Sequence, residues 1–221
     1  MKLIPGADRP RPYTRSERIA DAVIHAIGGA MALGACITLL VMVIPDAGWV
    51  GVTSVGVYLC GLVAMLGASA LYNFAPEGLW KARFRQLDHS AIFAMIAGTY
   101  TPFALVTIGG DWGLGLFLFI WTVALIGIGL KLFVPGRFEK LSIAAYLVMG
   151  WTIIGALGPL LSSASLAGLI LLGVGGLLYS FGVVFHLWER LKFQNAIWHG
   201  FVVAAAACHF AAVITDVALV A

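Results

Sequence analysis

Seven long, mainly apolar stretches recur along the chain, at roughly 19–44, 49–73, 88–108, 112–134, 141–161, 165–187 and 196–219, joined by short polar links. A helix rises about 1.5 Å per residue, so some 20 residues cross the ~30 Å hydrocarbon layer of a bilayer. Membrane strands would alternate in polarity and close into a barrel. These stretches are continuously apolar instead, and dotted with glycine. The pattern predicts an all-α integral membrane protein, a seven-transmembrane helix bundle over 19–221 behind a polar N-terminal segment, 1–18. Gly127, Gly129, Gly173, Gly175 and Gly176 read as points of close helix packing. Pro102 is expected to kink or end the third span, with Thr99, Tyr100 and Thr101 in structural roles.

Composition removes the soluble alternative. The chain is 62% hydrophobic and 10% charged, whereas soluble domains carry about 25% charged residues. No cleavage pattern follows "MKLIPGADRPRPYTRSER", so the first span is read as the insertion signal. "TRSE", residues 14–17, has capping-box spacing ahead of it. Cys36, Cys60 and Cys208 lie within spans, lack metal-site spacing, and read as small apolar core residues. The net charge of +3 gives no support to nucleic-acid binding.

Charge sets the expected orientation. Lys2, Arg9, Arg11, Arg15 and Arg18 precede span one. Lys81, Arg83 and Arg85 follow span two, Lys131, Arg137 and Lys140 flank the link after span four, and Arg190 and Lys192 lie between spans six and seven. All fall on one side, which the positive-inside rule makes cytoplasmic. The N-terminus is then inside and the C-terminus outside. Asp46, Asp111 and Asp216 fall near the outer ends, where solvation accounts for them.

The polar chemistry gathers on the cytoplasmic side. Ser69 and Asn73 close span two on a shared helix face, and Asn195 and His199 open span seven in the same i, i+4 relation. Asp88 and His89 open span three, His25 lies early in span one, and His186 closes span six. Taken singly, Asn73 before Pro76 reads as a helix C-terminus, and Asp88 and Asn195 as N-caps. Polar residues from several spans at one depth point instead to a shared cavity open to the cytosol, since intramembrane ionisable groups face the bundle interior. His209 is deeper, about 15 Å along its helix from His199, and isolated.

Four stretches carry a family resemblance: "ERIADAVIHAIGG" (17–29), "SALYN" (69–73), "LDHSAIFAMIAGTYTPF" (87–103) and "NAIWHGFVVAAAACHF" (195–210). In content, order and spacing the chain resembles the hemolysin III family, within the progestin and adiponectin receptor superfamily. The resemblance implies a zinc site built from Ser-x-x-x-His at the end of span two and His-x-x-x-His at the start of span seven. An Asp opening span three would lie beside the metal's water. Ser69, Asp88 and His199 match that pattern. Asn73 and Asn195 stand where the family places two of its three histidine ligands. Amide oxygen suits hard cations better than zinc, so zinc is expected to be absent or weakly held unless His25, His89 or His186 substitutes.

The favoured reading is a lipid-sensing or homeostatic protein of the bacterial inner membrane, with membrane lipids as partners and a degenerate metal site. Asn73, Asn195, His25 and His89 would line its cavity, and His199 would be the residual metal ligand. The alternative is a zinc-dependent lipid amide or ester hydrolase using Asp88 and Ser69. A pore-forming cytolysin is the third reading, disfavoured because the outer half of the spans offers little polar lining. Oligomeric state stays open.

Overall fold

The structure is a computed structural model and describes residues 13–45, 47–134 and 136–219. Lys2, Arg9, Arg11 and Asp46, used above for orientation and solvation, lie outside them. Among the described residues seven helices are long and apolar enough to cross a membrane: α1 (Arg15–Val43), α2 (Trp49–Phe74), α3 (Leu79–Ile108), α4 (Gly110–Phe133), α5 (Glu139–Ser163), α6 (Leu166–Leu187) and α7 (Gln194–Ala218). No strand forms among these residues. Neighbours in sequence pack side by side, and α1 closes against α7. The most buried span is α3 and the least is α5. Leu39, Tyr58, Leu62 and Ile120 fill the interior, while Ile27, Val41, Phe133 and Val148 face outward.

Glycine sets the closest approaches. A Cβ on Gly127 would fall 2.5 Å from the Phe93 ring, and one on Gly175 2.5 Å from the His209 ring. A Cβ on Gly176 would make ordinary contact with Trp151, 3.6 Å away. Gly129 and Gly173, also expected at packing points, meet nothing within 4 Å, and no contact accounts for them.

Helix α1 begins with the expected capping box. The Glu17 amide donates to Thr14 Oγ1 at 3.3 Å, and the Thr14 amide donates to Glu17 Oε2 at 2.9 Å. Glu17 Oε1 also accepts from the Phe193 amide at 2.8 Å. That bond ties the α6–α7 link to α1 where Phe193 has a left-handed φ of 61°. A bulky residue adopts this conformation only when its surroundings hold it.

Several expected boundaries move. Helix α3 starts at Leu79 behind Gly78, so Asp88 is an interior residue and not an N-cap. "LWKARFRQL" continues the helix beyond the apolar stretch. Asn195 likewise follows Gln194 inside α7, whose cap position is Phe193. Asn73 lies within α2, which ends at Phe74 with Ala75 extended. Its amide donates to the Ser69 carbonyl at 2.9 Å, so it takes no left-handed cap.

At Pro102 α3 does not stop but widens into a π-turn, Phe103–Ile108. Helix α5 is broken instead, passing through a 3-10 turn at Thr152–Ala156. The Tyr100 hydroxyl reaches this break, donating toward the Met149 and Gly150 carbonyls at 2.9 and 3.0 Å and accepting from the Ile153 amide at 2.8 Å. Backbone freed inside a bilayer needs such a partner. Thr101 Oγ1 accepts from Trp121 Nε1 at 3.0 Å.

Three further expectations change. Cys60 is exposed on the outer surface of the bundle, not in its core, and Cys36 and Cys208 are half-buried. Asp216 is buried, and its Oδ1 accepts from the Ser165 amide at the start of α6 at 3.1 Å. It therefore serves a helix N-terminus and is not solvated. His209 is not isolated: its Nε2 lies 3.4 Å from the Leu172 carbonyl, and its ring centroid 5.6 Å from that of Tyr179.

Candidate metal centre

Every described Lys and Arg falls near the end of the bundle where α1, α3, α5 and α7 begin. The same basic end holds a polar cluster contributed by α1, α2, α3 and α7. Asp21 and His25, one helical turn apart on α1, share a face. His199 Nδ1 lies 2.6 Å from Asp21 Oδ1, and His25 Nδ1 lies 2.9 Å from the Asp21 carbonyl oxygen. Ser69 Oγ lies 3.3 Å from the Nε2 atoms of both His25 and His199. The two imidazole centroids are 4.4 Å apart, and Phe74 meets the His25 ring edge-on at 5.3 Å.

Amides complete the cluster. Asn195 Nδ2 donates to Asp21 Oδ2 at 3.0 Å and to Asn73 Oδ1 at 2.9 Å. Asp88 stands within electrostatic reach of Ser69 and His199. Asp21, Ser69 and His199 form a buried floor, while His25, Asn73, Asp88 and Asn195 are half-buried around it. Six of the residues singled out in the sequence thus meet: His25, Ser69, Asn73, Asp88, Asn195 and His199.

His89 and His186 are not among these donors, although His186 stands within electrostatic reach of His199. The charged and titratable neighbours of His89 are Arg85, Lys131 and His186, and its carbonyl accepts from Tyr146 at 2.8 Å. The His186 ring lies 5.0 Å from that of Trp198, and its carbonyl accepts from Gln194 at 3.0 Å. A groove of about 380 Å³ lined by Asp111, Trp112, Leu116 and Thr152 lies at the opposite end of the bundle, away from the cluster.

Asp21 is the residue that sequence reasoning missed. It lies near the start of span one, and its i, i+4 spacing from His25 marks a shared face. Asp21, His25 and His199 bring one carboxylate and two imidazoles within 4.8 Å of one another. That donor set fits a zinc-class ion, which prefers imidazole nitrogen and carboxylate oxygen. Two of these three candidate donors come from α1, and none from the positions of Asn73 and Asn195.

A sequence model described as Haemolysin-III related matches residues 13–210. The chain belongs to the haemolysin-III related family. Relatives include Hemolysin-3 of Bacillus cereus, 41% identical over 88% of this chain and 89% of its own length. The Hemolysin-3 homolog of Bacillus subtilis (strain 168) is 38% identical over 90% and 93%. Monocyte to macrophage differentiation factor of Homo sapiens is 29% identical over 76% and 71%, consistent with the wider adiponectin-receptor-like grouping. With seven spans and these bacterial relatives, this haemolysin-III related chain is an integral protein of the bacterial plasma membrane.

Proposed function

We propose that the chain acts in membrane-lipid sensing or homeostasis through a metal-loaded cluster at its basic end, and that this end faces the cytoplasm. One observation carries the reading: Asp21, His25 and His199 converge although two expected ligand positions hold asparagine. The basic residues around this end suit anionic headgroups, each contributing about 1 kcal/mol near such a surface. Asn73, Asp88 and Asn195 on the half-buried rim offer donors and acceptors to a lipid's polar group. The cluster bonds α1 to α7 and α2 to α7. A ligand that disturbs these bonds would change how three spans pack.

A strain lacking the gene tests this. Its membrane lipid composition, or its fluidity response to a temperature shift, is expected to change and to be restored by the wild-type gene but not by His199→Gln. An unchanged lipid profile and fluidity response in the deletion strain removes the proposal's basis.

Ser69 and Asp88 beside the donors favour a second reading, hydrolysis of a lipid amide or ester. A bound zinc supplies Lewis acidity to such a reaction. Ser69 would donate a hydrogen bond to the substrate carbonyl region, and Asp88 would hold or accept a proton. Fatty-acid release from defined lipids by zinc-loaded protein, reduced by Asp88→Asn, would support it, and no release under those conditions would refute it. A pore gains nothing from the fold, because Leu39, Tyr58, Leu62 and Ile120 pack the interior.

A further inference from the structure

A single residue orients both imidazoles of the cluster. His199 Nδ1 faces Asp21 Oδ1 and His25 Nδ1 faces the Asp21 carbonyl oxygen, at 2.6 and 2.9 Å. An ionised carboxylate and a backbone carbonyl can only accept, so each Nδ1 carries the ring hydrogen. In neutral rings both Nε2 atoms are then bare lone pairs. They face the same atom, Ser69 Oγ, at 3.3 Å each. One hydroxyl has one hydrogen, for which Asp88 also competes, so it satisfies at most one of them and presents an oxygen lone pair to the other. A buried acceptor left in that state costs about 1–3 kcal/mol.

A cation resolves the conflict, and Asp88 supplies negative charge beside Ser69 and His199. Asp21 itself has little left to offer a metal. Its Oδ1 is taken by His199, its Oδ2 by Asn195 at 3.0 Å, and its carbonyl by His25. Histidines that bind metals commonly donate their second ring N–H to a carboxylate or a carbonyl, which fixes tautomer and ring direction. Asp21 performs both of those tasks.

We propose that a zinc-class divalent cation is held by the Nε2 atoms of His25 and His199, with Asp21 as a positioning residue behind both imidazoles and Asp88 as an acidic neighbour of the site. This rests on the metal reading above but assigns the donors differently from a site that uses Asp21 directly. Ser69 stays beside the ion as a hydroxyl neighbour.

The test uses the full chain in detergent, loaded with zinc and freed of excess. Retained metal is measured by mass spectrometry, and affinity by competition with a chromophoric chelator. His25→Gln and His199→Gln are expected to lose the retained zinc. Asp21→Asn should keep it, with affinity lowered about 10–100-fold, the usual effect of losing an orienting partner. Loss of zinc from Asp21→Asn as complete as from His199→Gln would make Asp21 a ligand and overturn the assignment, as would wild-type affinity in His25→Gln. Zinc-edge X-ray absorption of the wild type gives an answer independent of any variant's folding. Two imidazole scatterers support the assignment, and one or none overturns it. A wild-type chain that retains no zinc overturns this assignment and the metal reading together. Zinc bound with another order among the variants overturns the assignment alone.

Discussion

Replacing Asp21 by alanine probes the junction of α1 and α7. The carboxylate accepts from His199 Nδ1 at 2.6 Å and from Asn195 Nδ2 at 3.0 Å, and the His199 and Asp21 side chains are 10% and 9% exposed. Truncation leaves two donors unpaired where water has little access. Each orphaned donor costs about 1–3 kcal/mol, toward the upper end here because both had donated to a carboxylate. The second Asn195 bond, to Asn73, and the His25 bond to the Asp21 backbone survive, so the loss should total about 3–5 kcal/mol. At about 2–4 °C per kcal/mol for a chain of this size, unfolding of metal-free protein in detergent should shift down by roughly 6–20 °C. Glu77→Ala, which breaks only the exposed pair with Lys81, should cost no more than about 0.5 kcal/mol. In a double-mutant cycle, Asp21→Ala with His199→Leu should show coupling above about 1.5 kcal/mol, because the second change removes the stranded donor. A loss below about 1 kcal/mol for Asp21→Ala, or additive effects in the cycle, would refute the claim that this pair joins the two spans.

Other outcomes follow from the same contacts. Tyr100→Phe strips three partners from the break in α5 and should destabilise by about 2–4 kcal/mol in denaturant titration. Tyr58 Oη is buried with no hydrogen-bond partner, so Tyr58→Phe should be neutral or stabilising by about 1 kcal/mol, read as unchanged or raised thermal stability. Gly127→Ala drives a methyl into the Phe93 ring and should cost about 1–3 kcal/mol by the same assay. The paired change Asn73→His and Asn195→His adds two imidazoles beside the existing donors and should raise zinc affinity at least about tenfold in chelator competition.

The sequence shows the seven spans clearly because each must bury a hydrocarbon-length apolar surface, which leaves a long continuous signal. It shows helix ends poorly. "LWKARFRQL" carries too much charge to read as membrane, yet nothing in it breaks a helix, so α3 runs on to Leu79. Asp88 therefore sits on an inward face instead of at a cap. The break in α5 follows "GWTIIGALGP", where Gly150, Gly155, Gly158 and Pro159 weaken the helix. That weakness is visible in the residues, but its repair by Tyr100 depends on a partner some 50 positions away. The same distance problem hides the role of Asp21. Its spacing from His25 is local, whereas its bonds to Asn195 and His199 require α7 to close against α1. Ser69, Asn73, Asn195 and His199 were legible because each lies on a shared face with a polar neighbour one turn away.

A zinc-edge anomalous difference map of the purified protein would locate the cation among these side chains. The expected peak faces the Nε2 atoms of His25 and His199, with Asp21 behind both rings. A site that stays empty at saturating zinc, or a peak placed against Asn73 and Asn195 and away from His25, would contradict that placement.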